Sequence, residues 1–393
     1  MNQQQRIYLD NQATTPADPR VVEAMLPYFS GKFGNPHSDS HAFGAEASEA
    51  VEAARAQVAQ LIGARPREVF FTSGATESNN IAIKGAALER HNTRRHVVTC
   101  VTEHLCVLNS VLELDDQGFD ITYLPVDSEG MIDLEELRAA VTEDTLLVSV
   151  MTVQNEVGVI QPMAEIGAIC REAGAFLHTD AAQAAGKIPL DVREMNIDLL
   201  SISGHKLYGP MGVGALYKRE DPEVRVAPIF SGGGQELGVR PGTVPAPLAV
   251  GIGAACAIAA EEMAGEANRL RLLRDGLLQR ITEAVPGIKL NGHAENRIAG
   301  NLNISVEGLL ADAMMAAMPD IAVSSGSACS SADSESSHVL RSLGLTDEQA
   351  EGSLRIGLGR FTTTEDINIA SDRLIEAITQ LRMKGAADSV AAE

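Results

Sequence analysis

Along the chain, short apolar runs alternate with longer stretches in which apolar residues recur at helical spacing. The runs at Val69–Thr72, His96–Val101, Ile121–Leu124, Leu146–Met151, Ala175–Thr179, Leu199–Ser203 and Gly214–Lys218 read as strands. Helical patterns fill 77–90, 105–114, 133–141, 163–173 and 181–185. Alternation of this kind predicts an α/β protein, with a mostly parallel seven-stranded sheet covered by helices. Ahead of it, Asp18-Pro19 starts a helix, with Asp as the cap and Pro in the first turn. A Gly/Asn/Pro loop, Gly31–Ser40, and an Ala- and Glu-rich helix from about Phe43 to Leu61 come next. Beyond a Gly-rich loop, Ser231–Gly242, a long helix from about Pro247 to Ala284 leads into a smaller α+β region. That region carries a strand at Asn301–Val306, a helix at 309–318, a Ser/Gly/Ala loop at 324–334, a strand at Leu354–Leu358 and a closing helix capped near Thr364. The expected division is a large domain, 16–260, and a small one from 1–15 and 261–393.

Length supports two domains, because 393 residues exceed what one compact core usually holds. Hydrophobic residues at 45% and charged residues at 21% are an ordinary globular balance, so a wholly disordered chain is excluded. The net charge of −22 argues against nucleic acid or an anionic membrane as the main partner. It still permits a local basic pocket. The opening MNQQQRIYLD has no apolar stretch of signal type. The uncharged stretch from Pro241 to Ala260 is rich in Ala, Gly and Pro, which reads as loop plus buried helix rather than a membrane span. The expected location is the cytoplasm. Five cysteines, Cys100, Cys106, Cys170, Cys256 and Cys329, form no C-x-x-C pair, so no metal motif is visible. Four sit in apolar or helical contexts that suit packing. Cys329 does not.

Candidate chemistry clusters just after the strands. Lys206, in SISGHKLYGP, comes after a buried strand, where desolvation and neighbouring cations can turn an amine into a Schiff-base nucleophile. Ser203 and His205 beside it can hold a phosphate. Taken alone, such a lysine reads as an ordinary surface residue. Asp180, in FLHTDAAQ, ends an apolar strand, where a carboxylate needs a partner. It can hold a pyridine nitrogen protonated, or merely cap the next helix. Gln183 can donate to a ring's phenolic oxygen. In TSGATESN, Gly74 allows a tight turn and the amides of Ala75 and Thr76 open a helix, which makes a phosphate cradle or a plain strand–helix turn. His104, in VTEHLCVL, can stack on a flat ring and move protons, or sit satisfied in the structure. Asn155, in VQNEVG, can reach a ring or a carboxylate. Arg355, in LRIGLG, can bind a carboxylate bidentately or form a structural ion pair. Cys329 lies in SSGSACSS, a run of small residues expected to move, which makes it an accessible nucleophile rather than core filling.

These pieces stand in one order: T-S-G-A-T-E-S-N, T-E-H, N-E-x-G, D-A-A-Q, S-G-H-K, R-P-G-T, S-S-G-S-A-C and R-I-G-L-G-R-F-T-T. Together they resemble the cysteine desulfurases, pyridoxal-phosphate (PLP) enzymes of fold type I within the class-V aminotransferases. The likeness runs from Tyr8 to Thr363, and S-S-G-S-A-C is similar to the long-loop group that serves iron–sulfur assembly. The resemblance implies a sulfurtransferase that removes sulfur from L-cysteine, giving L-alanine and a persulfide on Cys329 for acceptor proteins. It implies Lys206 as the PLP lysine, Asp180 at the pyridinium nitrogen, Gln183 at the phenolic oxygen and His104 over the ring as proton donor or acceptor. It gives Ala75, Thr76, Ser203 and His205 to the phosphate, and Asn155 and Arg355 to the substrate carboxylate. Thr243 is implied to reach the phosphate of a neighbouring subunit, hence a homodimer. The implied partner is an iron–sulfur scaffold, with Cys329 bridging a cluster iron transiently. Two departures stand out. Cys106 occupies a place where the family more usually has Ala, and the tail after Leu381, RMKGAADSVAAE, lacks the Leu/Trp-containing end by which housekeeping members engage the scaffold. Transamination or selenocysteine lysis on the same fold, and a non-catalytic sulfur-binding protein, are the rival readings.

Overall fold

The computed structural model describes residues 6–325 and 336–392, with 386–392 as backbone only. Its centre is the expected seven-stranded sheet, in the order Val69–Thr72, Gly214–Lys218, Leu199–Ser203, Phe176–Asp180, Thr145–Ser149, His96–Cys100, Asp120–Leu124. The last five pair in parallel, whereas Gly214–Lys218 runs antiparallel to both of its neighbours. Thr145–Ser149 and Leu199–Ser203 are buried at every position, as strands covered on both faces must be. Their apolar runs therefore show no alternation.

Local signals set the helix starts. Asp18 caps Pro19–Met25 by accepting from the Arg20 amide, and Asp133 caps Leu134–Ala140 by accepting from Glu135 and Glu136. Thr363 and Asp366 exchange side-chain and main-chain bonds ahead of the closing helix, Thr364–Ala392. The long helix spans Ala246–Ala284 and packs chiefly on Ala42–Leu61. It is the one helix among the described residues whose length and composition would allow a membrane crossing. Its buried Ala249, Ile252, Ala255, Cys256 and Ala259 belong to the main core beneath the sheet. A second apolar cluster joins Ile7 and Leu9 to Leu270, Leu277, Ile304, Ile356 and Leu374. It lies under a four-stranded antiparallel sheet formed by Ile288–Leu290, Asn301–Val306, Ser353–Gly357 and Ser324–Ser325.

Two local expectations need correction. The helix expected at 181–185 is a run of turns: Ala184 and Ala185 both return to the Ala181 carbonyl, and Gly186 at φ 73° diverts the chain. The helix expected at 309–318 is shorter, Ala311–Ala317. Of the Ser/Gly/Ala loop, Ser324–Ser325 pairs with Arg355 and Leu354 as a short strand. Residues 326–335, Cys329 among them, lie outside the described residues.

Candidate active site

Parallel strands that share a direction bring their carboxyl ends to one edge, and that edge is where open α/β sheets hold ligands. Here the turns after Thr72, Cys100, Ser149, Asp180 and Ser203 converge on a cleft of about 600 Å³. Ala75, Thr76, His104, Asn155, Asp180, Gln183, Ser203, His205, Lys206 and Arg355 all line it. The sequence scattered these residues over 280 positions; strand order gathers them.

Lys206 ends a short helical turn after Leu199–Ser203. Its ammonium donates to the main-chain carbonyls of Gln12 and Ala13, at 2.6 and 2.7 Å. Asp180 is only 7% exposed, and both of its oxygens are engaged. Oδ1 accepts from the Ala182 amide at 2.9 Å, and Oδ2 from Asn79 Nδ2 at 2.7 Å. So Asp180 does hold the turn after it, and it also faces the cleft. Gly74 precedes the helix Ala75–Ala87, and no side chain caps that helix. Its leading amides thus meet the cleft with the positive end of the helix dipole. Gly74 sits at φ 155°, within the region that favours glycine.

His104 caps the helix Leu105–Asp115, its Nδ1 accepting from the Cys106 amide at 3.1 Å. With Nδ1 accepting that bond, a neutral ring carries its proton on Nε2. Among the described cysteines, Cys106 is the one that packing alone does not explain. It lines the cleft, with Sγ 3.1 Å from His104 Nδ1 and 3.2 Å from Asn79 Nδ2. Cys100, Cys170 and Cys256 are buried, as expected, and burial raises all three thiol pKa values. His205 bonds Thr14 Oγ1 through Nδ1 at 3.0 Å; burial first, then the Lys206 charge, push its pKa down to about 4, so the ring is neutral.

Arg355 is buried and already held: Nη2 meets Asp10 Oδ1 at 2.9 Å, and Nη1 donates to the Asn155 main-chain carbonyl at 3.3 Å. Its Nε has no hydrogen-bond partner. The ion-pair reading is met, and Nε remains a donor without a partner. Thr243 is exposed and does not line this chain's cleft.

Sequence reasoning missed several residues at the site. Asn79 joins Asp180 to Cys106, and its signal was present: it stands in the T-S-G-A-T-E-S-N motif, one helical turn after Ala75. Gln12 and Ala13 contribute main-chain carbonyls, which no side-chain pattern reveals. Glu103 is fully buried beside His104, bonds the Met151 amide, and has its pKa raised by burial. Among the described residues, no group of His, Cys, Asp and Glu could hold a metal ion.

Fold and site together define a class-V aminotransferase, and the model of that family matches residues 7–369. Two relatives are cysteine desulfurases IscS. That of Rickettsia africae is 55% identical over 376 residues, covering 96% of this chain and 92% of its own. That of Rickettsia typhi is 54% identical over 387 residues, covering 97% and 94%. Among solved structures, a NifS-like protein superposes with a TM-score of 0.88 at 36% identity, over 95% of this chain and 99% of its own. SspA in complex with cysteine superposes at 0.81 with 37% identity, over 91% and 100%. The chain belongs to the cysteine desulfurases.

Proposed function

We propose that this cysteine desulfurase works through PLP in the cleft between Asp180 and Lys206, and carries the released sulfur on Cys329. The convergence of Lys206, Asp180, His104 and an uncapped helix N-terminus on one cleft carries the reading.

The donor set fits PLP. A dianionic phosphate suits the leading amides of Ala75 and Thr76, with the Ser203 hydroxyl and the neutral His205 ring at the same edge. A pyridinium nitrogen suits Asp180, the buried carboxylate that Asn79 steadies. The His104 ring borders the same space. Bound there, the cofactor supplies an electron sink for negative charge developing at the cysteine Cα. Lys206 then takes the Cα proton, because its amine is the base on the cleft wall. Arg355 and Asn155 orient the substrate carboxylate. His104, with its Nε2 proton, serves the proton transfers at the substrate. The Cys329 thiolate attacks the substrate sulfur; an S–S bond forms, the C–S bond breaks, and a proton at carbon completes alanine. Transamination is disfavoured because it gives a nucleophilic cysteine no task.

The proposal extends to a homodimer in which Thr243, exposed and outside its own cleft, reaches the partner's phosphate. It includes the two-domain division at about residue 260: the main apolar cluster lies almost wholly within 21–259 and a second within 7–9 and 270–378, with a small cluster of Val157, Val159, Val339 and Leu340 joining the two sides. It also includes a cytoplasmic role in supplying sulfur to an iron–sulfur scaffold. The decisive assay incubates the PLP-loaded protein with L-cysteine and DTT and measures sulfide and alanine together. Equal yields are expected. Pyruvate without alanine would overturn the reading in favour of a simple lyase.

A further inference from the structure

Lys187 lies on the run of turns that follows Asp180 and carries Gln183, and the proposed chemistry gives it no task. Its ammonium donates to Gln183 Oε1 at 2.7 Å. At the other end of that amide, Gln183 Nε2 donates to the Gln12 carbonyl at 2.8 Å. The same Gln12 carbonyl accepts from Lys206 at 2.6 Å. The Gln183 amide therefore has a definite sense, carbonyl toward Lys187 and NH₂ toward the Gln12 carbonyl that Lys206 shares.

A lysine decides such a question because an ammonium has donors only. A flipped amide would set two N–H groups against a cation. Gln183 lines the cleft, whereas Lys187 stands behind it, in an adjoining cavity shared with Gln12, Tyr208 and Glu266. A purely structural lysine here would be expected to find a carboxylate. Among the described residues, none lies within salt-bridge distance of it, and Gln183 supplies its one side-chain hydrogen bond. Burial first, then the Lys206 charge, bring its pKa down to about 7. Its placement against an amide rather than a carboxylate calls for a reason.

We propose that Lys187 is a positioning residue, whose ammonium holds the Gln183 carboxamide so that its NH₂ meets the anionic oxygen of a ring bound in the cleft. The inference rests on the proposed PLP site and deepens it. Lys187 touches neither substrate nor ring; it acts through Gln183.

The test is a double-mutant cycle of Lys187→Met and Gln183→Leu, with Lys187→Arg as the conservative variant. Far-UV circular dichroism of the cofactor-free proteins establishes that each folds. The readouts are the PLP dissociation constant, from titration of the visible absorbance, and the pH midpoint of that absorbance. Lys187→Met should weaken PLP binding by about 3–10-fold, the loss of one well-placed hydrogen bond. It should also move the midpoint upward, since an anionic ring oxygen that lacks its donor leaves the neighbouring imine proton more tightly held. Lys187→Arg, still a donor-only cation, should stay near wild type. In the Gln183→Leu background, Lys187→Met should change neither readout by more than about twofold. Wild-type affinity and midpoint in Lys187→Met would overturn the inference. So would an undiminished effect in the Gln183→Leu background, which would show Lys187 acting through its charge alone. Failure of the underlying reading is distinguishable: Lys206→Ala would then keep the visible band.

Discussion

Glu156 provides a test of how the site's surroundings respond to pH. Its carboxyl is buried, with Oε2 accepting from Ser337 Oγ at 2.6 Å. Its main-chain carbonyl accepts from Asn301 and Asn303. Burial raises its pKa from 4.5 to about 7, against the opposing pull of the Ser337 hydroxyl and the Arg355 charge. A folded-state pKa above the unfolded value means that the native state holds the proton more tightly. Stability is then complete below about pH 4.5 and is lost as pH rises toward 7. The rise corresponds to about 3 kcal/mol. Glu156→Gln keeps an acceptor for Ser337 and removes the titration. Urea unfolding of the cofactor-free protein, monitored by far-UV circular dichroism because the chain has no tryptophan, should show the pair nearly matched at about pH 5. At about pH 8 the variant should be the more stable by about 3 kcal/mol. Parallel behaviour across that range, with a gap under about 1 kcal/mol, would refute the argument from burial. Ser337 also caps the helix His338–Ser342 immediately after residues 326–335, so the variant should keep that helix start while changing the charge behind it.

Three further outcomes are expected. Lys206→Ala should lose the visible absorbance of lysine-bound PLP and all alanine production, both read on the purified variant. Cys329→Ser should still change its absorbance when cysteine is added but gain no sulfur by mass spectrometry, while Cys106→Ala should retain sulfide release; extra sulfur on Cys106 would reverse the assignment. Light scattering should give twice the chain mass, and a stable, fully active monomer would rule out a site shared through Thr243.

The central sheet was legible because buried parallel strands are written as short apolar runs, and all seven appear close to their expected limits. The connections at the strand ends were less legible. The Ala-rich stretch after Asp180 has good helix propensity, yet the chain turns there. Asp180 is drawn into the site, and Gly186 has no room for a side chain, since a Cβ would fall 2.9 Å from that of Ala259. Side chains that converge from strand ends could be named singly, and the resemblance gave them roles. Their supports could not be named. Asn79 and Lys187 act on other site residues rather than on a ligand, and a second layer of hydrogen bonds has no spacing rule of its own. The two short strands Ile7–Tyr8 and Ile321–Ala322 escaped for a related reason: each is two residues long and stable only because the other completes it.

A chain of net charge −22 can still hold an anion at this cleft because the relevant charges are local. Beyond about 8 Å at physiological salt, exposed surface carboxylates are largely screened. Closer in, the carboxylates around the cleft are already engaged. Glu77 meets Arg240 at 2.8 Å, Asp10 meets Arg355, and Asp180 accepts from Asn79 and an amide. Each such bond draws negative charge away from the space where a phosphate or a substrate carboxylate would sit. Opposing them are the dipole of the helix Ala75–Ala87 and the cations Lys206 and Arg355, all directed at the same space. Overall charge governs which macromolecules approach the surface, and pairing within one Debye length governs what the cleft retains. The two can differ in sign, and the engaged carboxylates and uncapped helix at these strand ends act toward that difference.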